Sequence, residues 1–276
     1  IRHPAEPLTL DGASPSGGFA FSPDARKIVG TGYRGQVTVH DTETGKRILD
    51  FKGHDRAGRV AAFAPDGRWF VTAGGDDTAK VWEARNGSER AVLRGHDGGI
   101  LSVAVAPDGS RILTCGEDKT VRIWEANSGK QLLLSTDQPN PKTCRFSPDG
   151  KSFAVGYISQ TATTWNSGDG TPRQQMSGPK DAICVRYSPD GGRLAVGYTD
   201  FTARVFDSET GEEQLCLRSH GEWVTDLIFS PDGKRLATVS RDRSLKIWDA
   251  ESGRELLSIP CHDATYSLDG SSDGLL

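Results

Sequence analysis

Apolar and polar residues alternate along this chain in short runs that never settle into a helical period. Segments such as Arg68–Gly75 (RWFVTAGG) and Lys234–Ser240 (KRLATVS) have the alternation of strands. Each is followed by a tight polar turn and a β-branched run closing on an aromatic residue: Ala79–Trp82 (AKVW), Val121–Trp124 (VRIW) and Leu245–Trp248 (LKIW). A second turn with glycine comes next, at Asn86-Gly87, Ser128-Gly129 and Ser252-Gly253, leading to a further apolar piece such as Arg90–His96 (RAVLRGH).

One short string punctuates these runs. It reads FSPDA at 21–25, FAPDG at 63–67, VAPDG at 105–109, FSPDG at 146–150, YSPDG at 187–191 and FSPDG at 229–233, with a weaker YSLDG at 266–270. Its proline falls at Pro23, Pro65, Pro107, Pro148, Pro189 and Pro231, in steps of 42, 42, 41, 41 and 42 residues. Proline fixes φ and Asp-Gly supplies turn geometry, so each copy ends one strand and starts the turn to the next. Four strands in each such period amount to one blade of a β-propeller. The predicted fold is all-β, a single propeller domain over 1–276 with repeats near 11–52, 53–94, 95–135, 136–177, 178–218 and 219–260. Residues 6–10 (EPLTL) are expected to form an outer closing strand and 261–276 a partial seventh repeat. The expectation is therefore six complete blades plus part of a seventh, from a protein seven-bladed at full length, with a closed six-bladed ring as the rival.

Composition narrows the function. The 33 glycines and 14 prolines suit a chain of many turns. Lys and Arg number 33 against 37 Asp and Glu, for a net charge of −4, with no basic run to track a phosphate backbone, which argues against nucleic acid. No apolar run reaches the roughly 18–20 residues of a membrane helix, and the N-terminus does not read as a signal peptide. The chain starts at Ile1 and holds one methionine, Met176, which points to a processed terminus or an excerpt of a longer polypeptide. Its five cysteines are an odd set without a CxxC pair, so free buried thiols in a reducing, cytoplasmic setting are expected, with neither metal nor cofactor.

Three repeats carry a fuller signature: Gly53-His54, Asp76 and Trp82-Glu83; Gly95-His96, Asp118 and Trp124-Glu125; Ser219-His220, Asp242 and Trp248-Asp249. The His-to-Asp separation is 22 and the Asp-to-Trp separation is 6 in all three. On these residues and the repeat length the chain resembles the WD-repeat family over essentially its whole length. The resemblance implies a structural role for the set: imidazole bridging a buried carboxylate and a strand hydroxyl, for which Thr72, Thr114 and Thr238 are the candidates. A hydrolase triad is disfavoured, because the set recurs blade after blade whereas a catalytic site occurs once. Repeat one departs, with Arg34 in the Asp turn and His40-Asp41 in the Trp-Asp place. Repeat four has Ser159 and Trp165-Asn166, repeat five Asp200 and Phe206-Asp207, and neither has the Gly-His, so these two blades are expected to be held by packing and to open more readily.

In the family the Gly-His and Asp turns share one face, where partners are commonly held. Trp, Tyr and Arg dominate binding hot spots, which makes Trp223, Arg241, Arg243, Tyr157, Tyr198 and Arg34 the candidate contacts. The expected function is a non-enzymatic scaffold for a protein or peptide, alone or as one module of a multidomain chain, of undetermined oligomeric state. The alternatives are a structural spacer propeller in a repeat-rich protein and, less favoured, a propeller that binds a small ligand or acts as an enzyme.

Overall fold

The computed structural model describes residues 17–136, 138–261 and 268, and within them the chain forms strands and turns and no helix. Blade one consists of β1 (Phe19–Phe21), β2 (Lys27–Thr31), β3 (Gln36–Asp41) and β4 (Arg47–Lys52). Blade two is β5 (Gly58–Phe63), β6 (Trp69–Gly74), β7 (Thr78–Glu83) and β8 (Glu89–Arg94), and blade three β9 (Ile100–Val105), β10 (Arg111–Gly116), β11 (Val121–Glu125) and β12 (Gln131–Ser135). Blade four is β13 (Pro141–Phe146), β14 (Ser152–Tyr157), β15 (Thr161–Asn166) and β16 (Pro172–Ser177). Blade five is β17 (Ala182–Tyr187), β18 (Arg193–Tyr198), β19 (Thr202–Asp207) and β20 (Glu213–Arg218), and blade six β21 (Val224–Phe229), β22 (Arg235–Ser240), β23 (Ser244–Asp249) and β24 (Glu255–Pro260). Each blade is a four-stranded antiparallel sheet in chain order.

The serine-proline turns work as the sequence indicates. At Ser147–Gly150 the serine hydroxyl donates to Asp149 (2.6 Å) and accepts from the backbone N–H of Ser152 (3.0 Å), while Asp149 accepts from that of Lys151 (3.0 Å). Gly150 closes the turn at φ 69°, left-handed backbone that glycine adopts without a Cβ penalty.

First strands of consecutive blades lie side by side, which puts them innermost and the fourth strands at the periphery. The core is divided accordingly into five apolar clusters, one between each pair of consecutive blades. A second strand is covered on both faces, so β6 and β14 are buried at every position and read as nearly continuous apolar runs. Arginines reinforce two of these joints. Arg111 of blade three donates to the Gly150 (2.8 Å) and Ser167 (3.1 Å) carbonyls of blade four and lies over the Phe146 ring. Arg193 of blade five repeats this on Gly233 and Ala250 (both 2.6 Å) and Phe229 of blade six.

Outer strands normally turn some side chains onto the next blade: Leu93, Met176 and Leu217 are buried. In β24 every residue is exposed, Leu257 and Ile259 included, so among the described residues nothing covers that face of blade six. The expected closing strand at 6–10 lies outside the described residues, as does the expected partial seventh repeat at 261–276 apart from Cys261 and Leu268. The Leu268 N–H donates to Asp226 of β21 (2.9 Å).

Candidate functional site

In blades two, three and six the repeated residues meet in one chain of hydrogen bonds. The Trp82, Trp124 and Trp248 indole N–H groups each donate to a threonine hydroxyl, Thr72, Thr114 and Thr238, at 2.8 Å. The same hydroxyls sit 2.8 Å from Nε2 of His54, His96 and His220. The carboxylate at Nδ1 can only accept, so the hydrogen of the neutral imidazole lies on Nδ1, and Nε2 accepts from the threonine hydroxyl whose oxygen accepts from the indole. Nδ1 faces Asp76 (3.0 Å), Asp118 (3.0 Å) and Asp242 (2.8 Å). These carboxylates also accept backbone N–H groups from the histidine loops, from Asp55, Asp97 and Gly221. The set thus ties loop, turn and two strands of one blade together, and all three threonines are those anticipated from the sequence.

Burial lowers the pKa of all three histidines below 6.5, and their aspartates only partly restore it. For Asp242 burial acts upward, but the Ser244 hydroxyl, the Gly221 N–H and His220 outweigh it and bring the carboxyl down to about 2. Below pH 6.5 the unfolded chain therefore takes up protons at these histidines that the folded chain refuses, so stability is whole above that pH and falls beneath it. The aspartates add a second loss below their ordinary value of 3.8. A melting temperature that declines steadily from pH 7 to pH 5 is the expected result in a calorimetric pH series, and a flat profile would contradict it.

Blades four and five are built differently. Val155 and Val196 replace the threonine, and two buried polar groups of these blades, Trp165 Nε1 and Tyr198 Oη, lack a hydrogen bond of good geometry. Val155→Thr places an acceptor under Trp165 as Thr72 does under Trp82, and is expected to raise the unfolding free energy by about 1 kcal/mol in urea denaturation. Tyr157 and Tyr198 themselves correct the sequence reading. They were expected on the open face but are 1% and 0% exposed, deep in the cores between blades three and four and between blades four and five. The reason is steric. In blades two and three the same strand position is Gly74 or Gly116, directly beneath a histidine ring. In blades four and five, which lack the histidine, a tyrosine fills the room: Tyr157 donates to Gln138 (2.7 Å), and the Tyr198 ring lies against Gly178, where a Cβ would come within 2.1 Å.

The other expected contacts do reach the surface. Arg34, Trp223, Arg241 and Arg243 are exposed in the turns between second and third strands or in the loop before β21. The Arg241 guanidinium stacks 4.1 Å from the Trp223 ring centre, and the Arg241 backbone N–H donates to the Trp223 carbonyl (3.1 Å). Three apolar residues were missed: Tyr33 (73% exposed), Ile158 (44%) and Phe201 (38%). Each flanks the Asp position at a turn tip, one residue away from the positions considered. Together with Trp223 they are all of the exposed large apolar side chains outside strands among the described residues, and all four lie on the face of the Asp turns. The opposite face, at the serine-proline turns, is charged; a cleft of about 510 Å³ there is lined by Arg111, Asp149, Lys151 and Arg173.

Blades of four antiparallel strands, repeated in sequence and pinned by a Trp–Thr–His–Asp chain, define a repeat propeller of the WD class. The family model "WD domain, G-beta repeat" matches residues 45–83, 87–125, 170–207 and 211–249, more than half of the chain, which therefore belongs to the WD-repeat family. Each match starts just ahead of a fourth strand and ends with the third strand of the next blade, one strand out of step with the blade itself. Residues 126–169, which supply β12 to β15 and lack both the histidine and the Asp turn, fall between matches. No curated protein matches the chain. WD-repeat domains are typically non-enzymatic and mediate protein–protein interaction.

Proposed function

We propose that this chain is a non-catalytic platform that holds a protein or peptide partner on the face of the Asp turns, as a module of a larger assembly. The observation that carries the reading is the gathering of Tyr33, Ile158, Phe201 and Trp223 on that face, with Arg34, Arg241 and Arg243 among them. Exposed aromatic and aliphatic side chains cost solubility, and arginine and aromatic residues are the usual centres of binding energy. The His–Asp–Thr sets are absorbed by the blades, each residue engaged within its own sheet, and so offer no spare acid, base or nucleophile. The test is affinity capture from the native lysate. Joint replacement of Trp223 and Arg241 by alanine is expected to cost about tenfold or more in partner retention. Replacing Lys151 and Lys234, on the opposite face, is expected to leave it unchanged. The reverse pattern would move the partner to the other side.

A second reading, a spacer that stacks on a neighbouring propeller or blade, is favoured by one observation, the uncovered Leu257 and Ile259 of β24. It predicts that polar replacement of those two residues alters assembly while the face variants do not.

A further inference from the structure

Resting on this reading of the face, we infer that its arc over blades four to six takes an extended acidic peptide segment carrying a bulky apolar side chain. The apolar residue would sit on blades four and five and the carboxylates toward blade six.

Phe201 is the first support. It occupies the last position of its turn at φ 71°, where the other blades place Gly35, Asp77, Lys119, Gln160 and Arg243. Left-handed backbone is unfavourable for a bulky side chain, and the residue still leaves 38% of its surface in solvent. That remaining apolar surface is open to a side chain from outside the chain. Ile158, at the corresponding turn of the preceding blade, continues the apolar surface.

Charge is the second. In this arc the turn carboxylates are already engaged: Asp200 accepts from Thr202 and pairs with Arg204, and Asp242 is held by His220, Ser244 and the Gly221 N–H. Lys180, Arg241 and Arg243 are exposed; among the described residues Arg243 makes no ion pair, and the loops between these blades oppose them with Glu222 and the half-buried Asp181. Blades two and three are more evenly balanced: Asp55, Asp97 and Glu117 are exposed beside Arg56 and Lys119, and Asp55 and Glu117 already pair with Lys52 and Arg59. An acidic segment is therefore drawn to blades four to six more than to two and three, and its apolar side chain finds Phe201 and Ile158 there.

Fluorescence anisotropy tests this with three labelled short peptides: one of Asp and Glu around a Leu-Phe pair, one with Lys for every acidic residue, and one with Ser for the Leu-Phe pair. The first is expected to bind about tenfold or more tightly than either other, and more weakly as salt rises. Arg243→Glu is expected to abolish the preference for the acidic peptide. Phe201→Gly relieves the turn, so it is expected to raise the melting temperature while lowering affinity about tenfold, a combination that a purely structural Phe201 would not give. Equal binding of the acidic and basic peptides, or no binding of the acidic one, overturns the inference. If capture of a native partner is still lost on replacing Trp223 and Arg241, the platform reading stands and only the acidic, apolar chemistry falls.

Discussion

Thr114→Val is expected to lower the unfolding free energy by about 2–5 kcal/mol. Valine has the shape of threonine, so packing in the fully buried site is retained and the change isolates the hydroxyl. That hydroxyl accepts from the Trp124 indole and faces His96 Nε2, both at 2.8 Å. Its removal orphans a donor and an acceptor together, and each buried unsatisfied group costs roughly 1–3 kcal/mol. Serine in place of Thr114 keeps the hydroxyl and should recover most of the loss. Urea denaturation of the three proteins checks this; a valine effect below about 0.5 kcal/mol would show that the hydrogen-bond chain contributes little.

The second large effect is expected at Gly35, at the end of the first Asp-type turn. Its backbone runs at φ 77°, and a Cβ there would lie 1.8 Å from the His54 carbonyl oxygen. The approach is this close because the Gly35 carbonyl receives two N–H groups of the histidine loop, from Gly53 (2.8 Å) and His54 (3.0 Å). At the same turn position Lys119 and Arg243 each receive one, and there a side chain is accommodated. Gly35→Ala must push blade one away from the His54 loop. The expected cost is about 2–4 kcal/mol, from left-handed backbone and overpacking combined. A melting temperature unchanged from the parent protein would contradict the stated packing of these two blades.

What was legible in the sequence follows from what repeats. Proline spacing of 41 or 42 residues gave the blades because every copy makes the same turn, and the Trp–Thr–His–Asp chain was readable because fixed separations bring the same four groups together in three blades. The face was harder. Trp223, Arg34, Arg241 and Arg243 were found from their loop positions, but Tyr157 and Tyr198 stand one residue inside their strands, and strand ends are not marked by composition. A signal for them did exist. Position 74 or 116 is glycine where a histidine sits above it, and the equivalent position is tyrosine in blades four and five, which lack that histidine, although blade one, which also lacks it, keeps Gly32. Phe201 and Ile158 escaped for the opposite reason, since a lone apolar residue in a polar turn resembles the start of a strand until its neighbours are placed.

The most direct test of the platform reading is a hydrogen-exchange footprint of the chain bound to the partner captured from its native lysate. Protection is expected at 32–35, 158–160, 199–201, 219–223 and 241–243, the turns and loop that carry Tyr33, Ile158, Phe201, Trp223 and Arg241. Protection confined to the serine-proline turns, or to β24 of blade six, would contradict the account and place the partner elsewhere.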